Sequence, residues 1–380
     1  MFMFSTNRLK SRMGTMLMAF VLIVGFGACS KEGLVKPPPS EEGGLEQIDD
    51  MVYRYMSKNA VPGATLAITR DGKLVFAGAY GFADSESGDL MTVDTRSRIS
   101  SVSKSITSIA IMKLLEEGKL DLDDRIFGDG GILGNDFGTP PYPQHVAALT
   151  VKHCLSHHVG GWSNNNSDPT MQQNQLNAQE LISYIIDNVP LSNPPGTSYA
   201  YSNVGFMILG RVIEKLTQKS YEQYVREEIL EPIGITTMEI GGNTLGDQKP
   251  DESRYHSSNA YNYNFERRDA NGGWIATASD LVRLLVHVDG ISTVPDILES
   301  TTVQTMTTPP FGYQRYALGF FVNGSTWYHG GSFPGSRSHW MRTGSGICAA
   351  IMVNGDATDL EGLLEDIVAA PVEWPDEDLF

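Results

Sequence analysis

Residues 105–117, SITSIAIMKLLEE, constrain the fold more than any other stretch of the chain. Ile106, Ile109, Ala110, Ile111, Met112, Leu114 and Leu115 leave the predicted helix without a consistently polar face, and Gly118 follows as a stop. A helix of that kind has to be surrounded by other elements. The chain has the material to do so, with 380 residues of which 41% are hydrophobic. Single cores stop growing near about 250–300 residues, so two domains or two lobes are expected. Three cysteines are too few for a disulfide scaffold. With 45 acidic against 28 basic residues, a net charge of −17 and no basic stripe, the chain is not built for nucleic acid.

The N-terminus reads as an export segment. Arg8, Lys10 and Arg12 precede an apolar run from Met13 to Ala28, which ends in Phe26-Gly27-Ala28-Cys29. Sixteen residues fall short of the roughly 20 that a spanning helix needs. Small residues before a Cys resemble the bacterial lipoprotein processing site. The expectation is a signal peptide over 1–28, a lipid anchor at Cys29 and a place in the bacterial cell envelope, facing the periplasm or the outer-membrane surface. Residues 29–44, with three prolines at 37–39, read as a flexible tether. Removal of residues 1–28 leaves 25 basic and 45 acidic residues, a net charge of −20.

Beyond the tether, apolar spacing predicts a helix over Leu45–Lys58. Two β-rich runs, Ala64–Ile68 and Leu74–Phe76, flank an Asp71-Gly72 hairpin signal. Amphipathic helices over Ala178–Asn188 and Phe206–Leu216 alternate with loops between residues 128 and 267. Strands return at Tyr316–Val322, Thr326–His329 and Ile347–Val353, and Leu360–Ala369 closes as a helix. The predicted fold is α+β: an antiparallel sheet flanked by helices in one lobe (45–127 and 268–370), a mostly helical lobe inserted over 128–267, and a tail over 371–380. The sequence has neither a G-x-S-x-G elbow nor a Walker phosphate loop.

Three short segments carry chemistry. In Ser101-Val102-Ser103-Lys104, a Ser and a Lys three apart share a helical face, so the amine can lie beside the hydroxyl. Burial lowers a lysine's proton affinity and lets it activate the nucleophile. Tyr201-Ser202-Asn203 offers a phenol and an amide to one point ahead of a helix. His329-Gly330-Gly331-Ser332 follows a Trp-Tyr strand, where two glycines let backbone pass close to a ligand and Ser332 can offer an N–H. Taken singly, each has a plain structural explanation: a capping Ser before a surface Lys, a packed Tyr with Asn as cap, a loop.

Together, and in this order, they resemble the serine β-lactamase and penicillin-binding protein family in its class C-like branch, which includes D-Ala-D-Ala carboxypeptidases, D-aminopeptidases and esterases. The resemblance runs from about Leu45 to Ala370. It extends through Tyr80-Gly81-Phe82-Ala83-Asp84, Leu155-Ser156-His157-His158-Val159-Gly160-Gly161 and Gly272-Gly273-Trp274. It implies the β-lactamase/transpeptidase-like fold, with Ser101 as acylated nucleophile, Lys104 as its activating amine and Tyr201 as general base and leaving-group acid. It also implies that Asn203 holds the substrate's acyl amide, that His329, Gly330 and Gly331 line the cleft, and that the Ser101 and Ser332 N–H groups form an oxyanion hole. Class C β-lactamases usually carry Lys where His329 stands. A mostly neutral His is a poorer carboxylate anchor.

The function expected from these residues is a cell-envelope serine hydrolase acting on amides or esters of D-amino-acid type, with no cofactor and no metal. Its substrate would be a small molecule or peptide, peptidoglycan-derived fragments included. The alternatives are a class C-like β-lactamase and a lipoprotein that binds peptidoglycan or penicillin without turnover. His153 and His157, four apart, have no third ligand in register, so a metal site is not expected. Cys154 and Cys348 read as buried free thiols. Tyr255, Tyr261, Tyr263 and Phe265 read as a loop packed on its own aromatics, and Arg337 and Arg342 are the candidates for a replacement carboxylate anchor.

Overall fold

Asp71 and Gly72 both take left-handed backbone, at φ 51° and 79°, and so close a two-residue turn between paired Arg70 and Lys73. Turns of that hand match the twist of the strands they join. A computed structural model describes residues 45–380; the export segment, Cys29 and the tether lie outside the described residues. The strands are β1 (Gly63–Arg70), β2 (Lys73–Asp84), β3 (Asp89–Leu90), β4 (Ser97–Arg98), β5 (Glu239–Ile240), β6 (Trp274–Ala276), β7 (Phe321–Asn323), β8 (Thr326–Phe333), β9 (Ser336–Arg342) and β10 (Cys348–Val353). Seven of them form an antiparallel sheet in the order β3-β2-β1-β10-β9-β8-β7, and β4-β6-β5 form a smaller one.

Both faces of the large sheet are covered, which explains why β1 and β10 are apolar almost throughout. On one face, Leu66, Ile68, Val75, Ile351 and Val353 pack against α1 (Glu46–Asn59) and the Leu360–Val368 helix. On the other, Ala67, Ala77, Trp340, Ala350 and Met352 join the larger core, with the Ala278–Val286 helix lying on β1 and β10. Helix α2 (Ser103–Glu116) sits behind that layer, among the Asn203–Thr217 helix, the Asp269–Gly272 turn and the Ser300–Met306 helix. Its residues from Ser103 to Met112, and Leu114, are buried. Gly118, at φ 66°, follows its end.

One expected strand is corrected. Over 316–322 only β7 is extended: Gly319 turns the chain at φ 88°, and Ala317 N–H bonds Phe320 O across that turn. A Cβ on Gly319 would lie 2.5 Å from Ser108 Cβ, so the turn is fixed by close contact with α2. Tyr316 and Phe320, on either side of the turn, are buried in packing rather than set along a pleat. Among the described residues, no helix is long and apolar enough to cross a membrane.

Candidate active site

The chain reaches α2 through a one-turn 3-10 helix, Ser100–Val102, that presents Ser101. Ser336 Oγ donates to Arg98 O at 2.7 Å, Ser338 Oγ to Ile99 O at 2.6 Å, and Ile99 N–H to Trp274 O at 3.0 Å. The turn is thereby tied to β9 on one side and β6 on the other. Ser100 sits at φ 49°, a left-handed conformation costly for a residue with a Cβ, held by these surrounding bonds. The small polar residues of α2 let other elements approach it closely, and their hydroxyls are satisfied. Ser105 bonds Gly319 O at 2.7 Å, and Thr107 bonds Ala270 O at 2.6 Å.

Lys104, one turn into the core, is wholly buried. Its Nζ lies 3.0 Å from Ser101 Oγ and donates to Asn271 O at 2.6 Å. Among the described residues no carboxylate is bonded to it. Burial, reinforced by the nearby Arg268 guanidinium, pushes its pKa well below the usual lysine range, which favours the unprotonated amine. The carbonyl it bonds is itself fixed. Asp269, two residues earlier, pairs with Arg211 at 2.5 Å, and the Gly210 Cα approaches Ala270 so closely that a Cβ would lie 2.7 Å from the Ala270 Cβ.

Tyr201 and Asn203 stand across the cleft from α2. Tyr201 lines the cleft together with Ser101, and its ring centre lies 5.1 Å from Lys104 Nζ. Burial raises the phenol's pKa, so it holds its proton. His157 packs on the Tyr201 ring at 4.1 Å, and its Nδ1 accepts from Ser202 N–H at 3.1 Å, so the neutral imidazole orients the loop. The cap of the following helix is Ser202, whose Oγ accepts from Gly205 N–H at 3.3 Å. Asn203 is therefore free of capping duty. Its Nδ2 donates to Asp168 Oδ2 at 2.6 Å.

The third segment lies on β8. A Cβ on Gly331 would stand 2.1 Å from Ile99 O and 2.2 Å from Ser338 Oγ, so the glycine lets β8 close on the nucleophile turn. The expected close approach thus serves the chain's own backbone as well as the cleft. Gly330 and exposed Ser332 line the cleft. His329 also reaches the cleft wall, yet both ring nitrogens are spent on the protein: Nδ1 on Gly330 O at 2.7 Å and Nε2 on Tyr316 OH at 3.2 Å. It is 1% exposed, and burial followed by the Lys104 charge takes its pKa down to about 3. His329 therefore stands on the cleft wall, where it was expected, with both ring nitrogens engaged by protein groups.

The cleft so formed has a volume of ≈ 1050 Å³. Among the wall residues that sequence reasoning missed are Asp168 and Arg268. Both belong to one-turn 3-10 segments too short to show periodicity, Arg268 ending Glu266–Arg268 and Asp168 capping Pro169–Met171; the local signal, Asp168-Pro169-Thr170, reads as a turn cap, and Asp168 Oδ1 does accept from Thr170 N–H at 2.9 Å. Arg268 bonds Thr170 Oγ1 at 2.9 Å. Of the two anchor candidates, Arg342 bonds Ser325 O and Asp289 O, away from the cleft, and Arg337 lines the cleft but pairs with Asp356 at 3.2 Å. The Tyr255, Tyr261 and Phe265 rings surround the buried Arg98 guanidinium, as a self-packed loop would. His153 pairs with Thr150 in a helix cap, and Cys154 and Cys348 are buried free thiols.

The family model described as Beta-lactamase matches residues 48–371. The chain belongs to that family. Protein flp of Staphylococcus aureus (strain NCTC 8325 / PS 47) is 28% identical over 193 residues, 50% of this chain and 37% of its own length. The chain thus spans well under half of that relative. The protein named "Putative D-alanyl-D-alanine carboxypeptidase" of Escherichia coli (strain K12) is 27% identical over 346 residues, 77% of this chain and 76% of its own. The crystal structure of D-amino acid amidase from Ochrobactrum anthropi SV3 superposes with a TM-score of 0.66 at 24% identity, over 86% of this chain and 97% of the amidase. The fold is therefore the β-lactamase/transpeptidase fold.

Proposed function

We propose that this protein is a serine hydrolase that forms an acyl-enzyme at Ser101 from amides or esters of D-amino-acid type. The observation that carries the reading is a buried amine, Lys104, 3.0 Å from the Ser101 hydroxyl, with Tyr201 on the wall of the same cleft. The Ser101 oxygen attacks the substrate carbonyl while its proton passes to the Lys104 amine. The Ser101 and Ser332 N–H groups face the resulting oxyanion. Tyr201, a phenol that keeps its proton at neutral pH, gives it to the leaving amine or alkoxide and recovers one from Lys104. Water then attacks the acyl ester and regenerates Ser101.

The cleft's charges favour substrates without a carboxylate at the reacting end. Arg268 and Arg337 are engaged with protein groups, His329 and His339 are held neutral by burial, and Asp356, Asp359 and Glu361 line the same cleft. The carboxypeptidase and amidase relatives support D-amino-acid substrates. A fluorophosphonate probe is expected to label the wild type and not Ser101→Ala, and D-amino-acid amides and short esters are expected to turn over faster than nitrocefin. Absence of labelling overturns the acyl-enzyme; nitrocefin as the best substrate of that panel reassigns the protein as a β-lactamase.

We also propose that the mature protein is a lipoprotein of the cell envelope, anchored at Cys29. The support is the basic and apolar leader before Gly27-Ala28-Cys29. Labelled palmitate should enter the wild type and not Cys29→Ala; equal incorporation by both rejects the anchor.

A further inference from the structure

Strand β8 outruns its neighbour on the cleft side. β7 pairs with it only as far as Phe321 opposite Tyr328, and among the described residues no other strand continues along that edge. The hairpins at the two ends of β8 fix which of its backbone groups face the gap. Two-residue turns join Asn323 to Thr326 and Phe333 to Ser336, and the pair that closes such a turn exchanges both of its hydrogen bonds. Counting by two from either end gives the same answer: His329 and Gly331 turn their N–H and C=O to β9, and Gly330 and Ser332 turn theirs to the gap. Gly330 and Ser332 both line the cleft, and neither is buried.

The Gly330 carbonyl is already engaged. His329 Nδ1 lies 2.7 Å from it, and a carbonyl oxygen can only accept, so Nδ1 carries the ring proton. Nε2 of the neutral ring then accepts from the Tyr316 hydroxyl at 3.2 Å, and the two partners hold one tautomer. The imidazole thus caps the carbonyl of the residue that follows it, on the stretch of edge where β7 has ended.

We propose that His329 is a positioning residue that limits the leaving group: by bonding the Gly330 carbonyl it withholds the acceptor that a peptide continuing past the scissile bond would use. A substrate whose reacting carbonyl faces Ser332 N–H, and which adds to the edge of β8, runs antiparallel to it, because only then do opposite residues exchange both bonds. The acyl residue lies opposite Ser332, the first residue of the leaving group opposite Gly331, and the second opposite Gly330, where its N–H meets a carbonyl in use. Ammonia or a small alcohol never reaches that far. The carbonyl keeps a second lone pair, so the selection for short leaving groups is graded rather than absolute. This inference rests on the reading that Ser101 is acylated, and adds to it which side of the substrate is kept short and by which residue.

The test uses D-alanyl-glycinamide and D-alanyl-glycine methyl ester, which differ in the group that would face Gly330, an N–H in the first and an oxygen in the second. Release of D-alanine from each gives the ratio of their kcat/KM values. In the wild type that ratio is expected within about twofold of one, and His329→Phe, which keeps a ring but loses the donor, should raise it about fivefold in favour of the amide, the net worth of one hydrogen bond. His329→Asn, whose Nδ2 can stand where Nδ1 does, should bring it back towards one. Tyr316→Phe disturbs the far side of the ring and leaves the Nδ1 donor, so the ratio should not move. His329→Leu serves if His329→Phe does not fold. An unchanged ratio in the variants without the donor, the same rise in Tyr316→Phe or His329→Asn, or a wild type that already favours the amide about fivefold, overturns the inference while fluorophosphonate labelling of Ser101 still stands. Loss of labelling in the wild type instead removes the Ser101 reading, and this inference with it.

Discussion

In the proposed mechanism Lys104 is the residue on which the chemistry turns, because its environment sets which proton carrier is basic. Its pKa is lowered by burial and that of Tyr201 is raised by burial, so the amine accepts and the phenol donates. The sequence-based roles are sharpened here: Tyr201 was expected to act as base and as acid, and its environment favours the acid role. Lowering pH through the depressed Lys104 pKa charges the amine, so kcat/KM should fall on the acidic side with a midpoint below 10.5. Lys104→Met, similar in shape and without a titratable group, should lose about 10²–10⁴-fold in kcat/KM and lose that limb. A pH-rate profile of both forms checks this, and an unchanged limb in Lys104→Met assigns it to another group. Ser101, Lys104, Tyr201 and Asn203 were legible because short helical and loop spacings bring each set together. Asp168 and Arg268 were not, since only the tertiary fold carries residues 168 and 268 to the same wall.

Among the elements, β8 does most to shape the site, and its glycines differ in what they do. Gly331 is where β8 meets the nucleophile turn, at a place already occupied by the Ser338 Oγ to Ile99 O hydrogen bond. Gly331→Ala forces those atoms apart and should destabilise the protein by about 1–3 kcal/mol and slow fluorophosphonate labelling. For Gly330 the nearest atom to an added Cβ is His339 Nδ1 at 3.4 Å, so Gly330→Ala should stay within about 0.5 kcal/mol of wild type. Urea unfolding of the two variants separates these outcomes, and equal losses would mean that Gly331 contributes nothing special. Element types were largely readable from period and turn chemistry: the Ala178–Asn188 helix and the Asp71-Gly72 hairpin match the pattern. The failure at 316–322 has a physical cause. The short continuous apolar run there resembles a buried strand, and the deciding contact, Gly319 against Ser108, joins positions far apart in sequence.

At the scale of the whole molecule, placing two neutral histidines inside the fold couples its stability to pH. His329 and His339 are 1% and 3% exposed, and burial is the largest cause that holds their pKa values at about 3 and about 4, against 6.5 when free. Between those values the unfolded chain binds protons that the native state refuses, so stability rises with pH there and is lost as pH falls from about 6.5 towards 4. Each histidine should cost ~2 kcal/mol between pH 7 and pH 5. The direction is the same as for paired carboxylates, since both make acid destabilising, but here the loss begins nearer neutrality. Urea unfolding at the two pH values measures it, and His339→Gln should remove the His339 share of that loss, since its Nε2 has no partner to lose. If wild-type stability is flat over that interval, these rings are charged in the fold, and the neutral cleft that argues against carboxylate substrates is lost with them.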